Sequence, residues 1–130
     1  MIPKSQRRSP CPVACALDIL GDKWTLLVIR DLFLGKHHFD EFRASPEGIA
    51  TSTLSARLAW LTSLGLIRRT GHATDRRRIA YALTERGISL NSLLTETARW
   101  GLENIPGTKV MPGGAVSIRA AIKTQPQPKR

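Results

Sequence analysis

The stretch Gly48–Leu66, GIATSTLSARLAWLTSLGL, decides how the rest of the chain is read. Leu54, Leu58, Leu61 and Leu64 recur at spacings of four and three, which stacks them on one face of a helix and turns that face toward a core. The opposite face is small and polar: Thr51, Ser52, Thr53, Ser55, Ala56 and Arg57 give its first half short hydroxyls and one guanidinium. Such a surface can press into a groove and hydrogen-bond to base edges and phosphates. Gly65 supplies a left-handed stop, after which Leu66 can fold back on the last turn. By itself the stretch also fits an ordinary amphipathic helix facing water, and its neighbours settle the matter.

Upstream, Pro12 opens a first helix and Gly21 lies just past its end, with Val13, Ala16, Leu17 and Leu20 as an apolar stripe. That stripe needs a cover, either the rest of the domain or a second copy of it. Asp22 is placed to cap a second helix, Lys23–Leu34, in which Trp24, Leu26, Leu27, Val28, Ile29, Leu32 and Phe33 are apolar almost all round. It is the expected central core helix. Gly35 ends it, Lys36-His37-His38 form a basic turn, and Phe39 and Phe42 hold a short helix, Phe39–Arg43, inward. The segment Ala44–Gly48, with Pro46 and Gly48, is the turn into the helix quoted first.

Downstream, the period changes from helix to strand. Ile67–Thr70 and Arg78–Leu83 read as two short strands, with Ile79, Tyr81 and Leu83 on one face, joined by a polar tip at Gly71–Arg77. Thr84 is expected to cap one long final helix carrying Leu90, Leu94, Ala98, Leu102 and Ile105 as a ridge, widened by Leu93 and Trp100, until Pro106-Gly107. The order of elements, mainly α with a small β-hairpin, is that of a winged helix-turn-helix. Residues 1–10 read as a flexible basic arm, 11–105 as the domain, and 106–130 as a basic Pro- and Gly-containing tail without order.

Charge agrees with a polyanionic partner. The 130 residues hold 20 Lys and Arg against 10 Asp and Glu, a net charge of +10, and five arginines with one aspartate lie between Arg68 and Arg78. The N-terminus lacks the apolar core of a signal peptide, and the greasy run Leu26–Leu34 is interrupted by Arg30 and Asp31, so no membrane association and a cytoplasmic location are expected. Cys11 and Cys15 are too few and too close for a disulfide framework. They pair poorly with the adjacent His37 and His38 as a zinc set, and no phosphate loop, nucleophile elbow or carboxylate pair appears, so neither a metal, a cofactor nor an enzyme is expected.

Several blocks together resemble one family: Cys11-Pro12-Val13, Leu20-Gly21-Asp22-Lys23-Trp24-Thr25, Phe39-Asp40-Glu41-Phe42-Arg43, Gly48-Ile49, Leu54-Ser55-Ala56-Arg57-Leu58, Leu64-Gly65-Leu66-Ile67 and Tyr81-Ala82-Leu83-Thr84. In that order, from about Cys11 to Gly101, they are similar to the HxlR family of bacterial transcriptional regulators. The resemblance implies a homodimer that binds operator DNA and dimerises through its first and last helices, here with Val13, Leu17, Leu20, Leu90, Leu94 and Trp100 at the interface. Three positions depart from the family: the wing reads Asp75-Arg76-Arg77-Arg78 and Ala80 in place of a Pro pair and a Glu, Trp60 replaces a polar residue, and Ala50 replaces a Ser, leaving Thr51 to take the cap.

Helix-turn-helix geometry leads with the N-terminus of the second helix, which nominates Thr51, Ser52, Thr53, Ser55 and Arg57 for double-stranded DNA, Arg57 for guanine or a flanking phosphate. Arg76, Arg77 and Arg78 would follow the backbone or a minor groove, and Lys36 and His38 the opposite phosphates. Trp60 reads as a packing residue. Cys11, at the positive end of the first helix and near Arg7 and Arg8, is the candidate thiol sensor for an oxidant, with Cys15 inert. A small-molecule effector between the second and last helices is a further possibility, and a winged-helix module for protein partners is the alternative function.

Overall fold

A computed structural model describes residues 1–71 and 79–110. Its elements run α1 (Pro12–Leu20), α2 (Thr25–Phe33), α3 (Phe39–Arg43), α4 (Thr51–Ser63), β1 (Ile67–Thr70), β2 (Ala80–Leu83), α5 (Glu85–Ile88) and α6 (Asn91–Asn104), after a 3-10 turn at Lys4–Gln6. The strands pair antiparallel, Ile67 opposite Leu83 and Thr70 opposite Ala80. The architecture is the helical one with a two-stranded hairpin that the periodicities indicate.

The core sits where α2, α4 and the hairpin meet. Val28, Ile29, Leu32 and Phe33 from α2 pack with Phe42, with Leu54, Leu58, Leu61 and Leu64, and with Leu66, Ile67 and Leu83. Trp60 lies half-buried against this cluster, a packing residue as read from the sequence. Burial of these side chains, at about 1.5–3 kcal/mol each, is the main force holding the domain together.

Helix α2 begins later than the sequence indicates, at Thr25, yet Asp22 is its cap in substance. The Asp22 carboxylate accepts from the amides of Trp24 and Thr25 at 3.0 and 3.1 Å and from the Thr25 hydroxyl. Helix α4 ends in a Schellman motif: Gly65, at φ 73°, donates to the Thr62 carbonyl and Leu66 to the Leu61 carbonyl.

The final helix differs from expectation, being broken at Ser89-Leu90 into α5 and α6. Thr84 does cap, its Oγ1 accepting from the Gly87 amide at 3.2 Å, but it caps the short piece. Gly87 lies flat on the Leu66 carbonyl, where a Cβ would fall 2.0 Å from the oxygen. Leu90 then bonds to the Gly87 carbonyl, and Ser89 Oγ donates to the Arg86 carbonyl, so the regular ladder is interrupted.

Leu94 is buried and Leu90 packs on the core, as Leu20 of α1 is also buried, so these three expected interface residues are covered within their own chain. What α1 and α6 leave open is Val13, Leu17, Leu93, Trp100, Leu102 and Ile105.

At the N-terminus the expected flexible arm makes contacts with α1. The Arg8 guanidinium meets Asp18 at 2.5 Å and donates to the Ala14 carbonyl. The tail from residue 111 onward, and the wing tip at 72–78 with Arg76, Arg77 and Arg78, lie outside the described residues.

Candidate nucleic-acid interface

Helix α4 is anchored by its leucines and stands with its first two turns outward. Thr51, Ser52, Ser55 and Ala56 are exposed and Thr53 is half-buried. Hydroxyls in its last turn are engaged, Thr62 Oγ1 donating to the Leu58 carbonyl and Ser63 Oγ to the Trp60 carbonyl. Those of Thr51, Ser52, Thr53 and Ser55 have no partner among the described residues.

The start of α4 is also uncapped. Ala50 occupies the cap position and offers no side-chain acceptor, so Thr51 is the first helical residue and not the cap expected of it. No acidic residue follows in the first turn. The leading amides therefore add their partial positive charge to the same surface as the hydroxyls.

Arg57 is placed differently from its neighbours. Its guanidinium turns back toward Asp22, Nη1 lying 3.8 Å from Oδ1, while its Nε is buried with no hydrogen-bond partner among the described residues. Burial raises the Asp22 pKa, but the Thr25 hydroxyl, the two capping amides and Arg57 outweigh it and hold the carboxyl below its usual value. The residue nominated to read a base thus rests, in the free chain, on the capping residue of α2.

Lys36 and His38 likewise have partners inside the domain. Lys36 Nζ donates to Ser45 Oγ at 2.6 Å. His38 Nδ1 lies 3.1 Å from the Ile79 carbonyl and His37 Nδ1 2.9 Å from the Tyr81 carbonyl, and the Tyr81 amide donates to the His37 carbonyl. A carbonyl can only accept, so both imidazoles donate through Nδ1 and splice β2 to the turn after α2. Tyr81 also meets Phe42 edge to face, centroids 6.4 Å apart.

One cluster escaped the sequence reading. Arg30 makes a forked pair with Glu47, at 2.7 and 2.9 Å, and reaches the buried Asp31 carboxylate, which also accepts from Ser45 Oγ at 2.6 Å. Its signal was visible: two charges interrupting an apolar helix require partners, although their identity does not follow from spacing.

Cys11 is exposed at the N-cap of α1, and Cys15 is half-buried with its thiol donating to the Ser9 carbonyl at 3.3 Å. The neighbouring Arg8 is occupied by Asp18, and Arg7 Nε by the Ile2 carbonyl. A cleft beside α2 is lined by Trp24, Leu27, Phe42 and Ile49 together with Arg30, Asp31, Ser45 and Glu47; no residue of the last helix lines it, whereas the effector pocket was expected between the second and last helices. Among the described residues no three His, Cys, Asp or Glu converge on a metal position, and no helix is long and apolar enough to cross a membrane.

Comparison with known proteins places this geometry. Residues 19–109 match the family model described as HxlR-like helix-turn-helix. An uncharacterized HTH-type transcriptional regulator of Mycobacterium tuberculosis is 39% identical over 94 residues, 72% of this chain and 59% of the relative, so the chain spans about 59% of that relative's length. Among solved structures, the redox regulator HypR in its reduced form superposes with a TM-score of 0.67 at 30% identity, covering 74% of this chain and 95% of HypR. The reduced form of the transcriptional regulator YodB from B. subtilis superposes at 0.61 with 25% identity, covering 78% of this chain and all of YodB.

Proposed function

Because the chain belongs to the HxlR-like helix-turn-helix family, we propose that it is a sequence-specific DNA-binding transcriptional regulator that acts as a homodimer on an inverted-repeat operator. The observation carrying this reading is the row of hydroxyls at Thr51, Ser52, Thr53 and Ser55 without partners among the described residues, on a helix start that has no cap. Driven into the major groove, they meet base edges and phosphates together with the α4 amides. Arg57 exchanges Asp22 for a phosphate or a guanine, and Arg76, Arg77 and Arg78 extend the contact along the backbone. Two copies joined through the open faces of α1 and α6 would set their α4 helices about 34 Å apart, one turn of the duplex.

The test is enrichment of a bound duplex from a randomised library, followed by competition against random duplex at fixed salt. Specific readout gives an enriched sequence with dyad symmetry, favoured on the order of a thousandfold or more. Equal binding to both duplexes would leave the protein-interaction module as the better reading.

A thiol response is the second part of the proposal. Cys11 is exposed at the start of α1, beside the open apolar face, and the similar HypR is described as a redox regulator. Oxidation or alkylation there would alter the packing of α1 against a second copy and with it the separation of the α4 helices. In Cys11→Ser, DNA binding is expected to become indifferent to oxidants and electrophiles. A response equal to that of the wild type would remove the role of Cys11.

A further inference from the structure

Five side chains from three segments form one polar brace under the turn that leads into α4. From α2 come Arg30 and Asp31, from the following loop Lys36, and from the turn itself Ser45 and Glu47. Asp31 and Ser45 are 4% and 7% exposed. The single Ser45 hydroxyl is used in both directions, donating to Asp31 Oδ2 and accepting from Lys36 Nζ, each at 2.6 Å. Arg30 closes the other side, its fork on Glu47 and its Nε on Asp31 Oδ1 at 3.1 Å. The backbone repeats the tie, with the Lys36 amide on the Asp31 carbonyl and the Gly48 amide on the Ser45 carbonyl.

We propose that Lys36, Ser45 and Glu47, working through Arg30 and Asp31, are positioning residues that fix where the first turn of α4 lies, and that they thereby set sequence discrimination without contacting DNA. This deepens the reading of α4 as the DNA-contacting helix and rests on it. The leucine face of α4 fixes its rotation on the core, whereas its entry point depends on the turn at 44–48, whose last residue, Gly48, is held at φ 71°. A hydrogen bond to a base edge holds only within a few tenths of an ångström, at roughly 2.7–3.2 Å. Attraction between cations and phosphates falls off far more slowly with distance. A loosened turn therefore degrades base reading while leaving salt-driven attachment in place.

Lys36 gives the sharpest contrast, since its basic turn suggests a phosphate contact. Its ammonium is half-buried, bound to Ser45, and close enough to Glu47 to help hold that carboxyl down. The experiment compares Lys36→Met and the charge-neutral Ser45→Ala with wild type in the full chain. The probes are the duplex that wild type enriches and a random duplex, titrated across a salt series, with circular dichroism confirming that each variant is folded. Both variants are expected to lose about tenfold in preference for the enriched duplex, the size of one mismatched base pair, while the slope of log affinity against log salt on random duplex stays at the wild-type value. Glu47→Gln serves as the third variant if Ser45→Ala does not fold, with the same expectation for preference. The proposal is overturned if preference is unchanged in the folded variants, or if Lys36→Met lowers the slope by about 0.9, the mark of a lost phosphate contact. Failure of wild type to enrich any sequence would defeat the DNA reading itself and this inference with it.

Discussion

Glu47 shows how one surface carboxylate can be tied to the pH response of the fold. Its hydrogen bonds from Arg30 hold its pKa below the ordinary 4.5 against a smaller opposing push from burial, and they raise that of Arg30 in return. A carboxyl depressed in the folded state contributes stability above its unfolded pKa, and the contribution is lost as pH falls through the ordinary carboxylate range toward the folded value. In Glu47→Gln the urea midpoint is therefore expected to fall less steeply below about pH 4.5 than in wild type. Asp22, depressed in the same direction, keeps part of the slope in that variant. Asp22 itself is the stronger structural residue, since it satisfies two amides and the Thr25 hydroxyl at the start of α2. Asp22→Ala is expected to cost about 1 kcal/mol of unfolding free energy by urea titration, the usual loss for a helix cap, and to release Arg57.

The elements themselves were largely legible, because each has a period that only one structure can bury. Leucines four and three apart require a helix, Ile79, Tyr81 and Leu83 at alternate positions require a strand, and Gly65 and Gly35 mark stops that the chain takes at positive φ. The break between α5 and α6 was not legible, since it accompanies a tertiary contact that spacing does not show: Gly87 lies on Leu66, a residue far away in sequence. Leu90 and Leu94, expected on the open ridge, lie against the core of their own chain. In the structure α5 also satisfies the carbonyls at the end of α4, Thr84 Oγ1 donating to Gly65 at 2.6 Å, the Thr84 amide to Leu66 at 3.1 Å and Arg86 to Leu64 at 3.4 Å. The last helix is thus joined through α5 to the helix that would read DNA. Gly87→Ala would wedge a methyl group between them, and a loss of about 1–3 kcal/mol in unfolding free energy is expected, as for other overpacked sites. A variant as stable as wild type would show that α5 can lift without consequence.

On the scale of the whole molecule, the described residues leave an apolar surface open on α1 and α6. Val13 and Leu17 on α1 are 66% and 53% exposed, and Trp100 on α6 is 62% exposed, in a protein whose net charge of +10 opposes unspecific self-association. Within the chain these side chains support little, so their replacement should alter assembly and spare the fold. If two copies pair through these faces as proposed, wild type is expected to sediment as a dimer and Leu17→Glu and Trp100→Glu as monomers at the same concentration, with the thermal midpoint close to that of a wild-type sample diluted to monomer. Affinity for random duplex should fall little, because on the proposed reading each copy's phosphate contacts are made by its own residues. Affinity for a dyad-symmetric duplex should fall by a factor on the order of a hundred or more, since the second half-site is then no longer reached intramolecularly. If either variant remains dimeric and keeps its operator affinity, that side chain is dispensable for pairing; if both do, the two copies meet through some other face. The spacing between their α4 helices would then have to be argued afresh from that face.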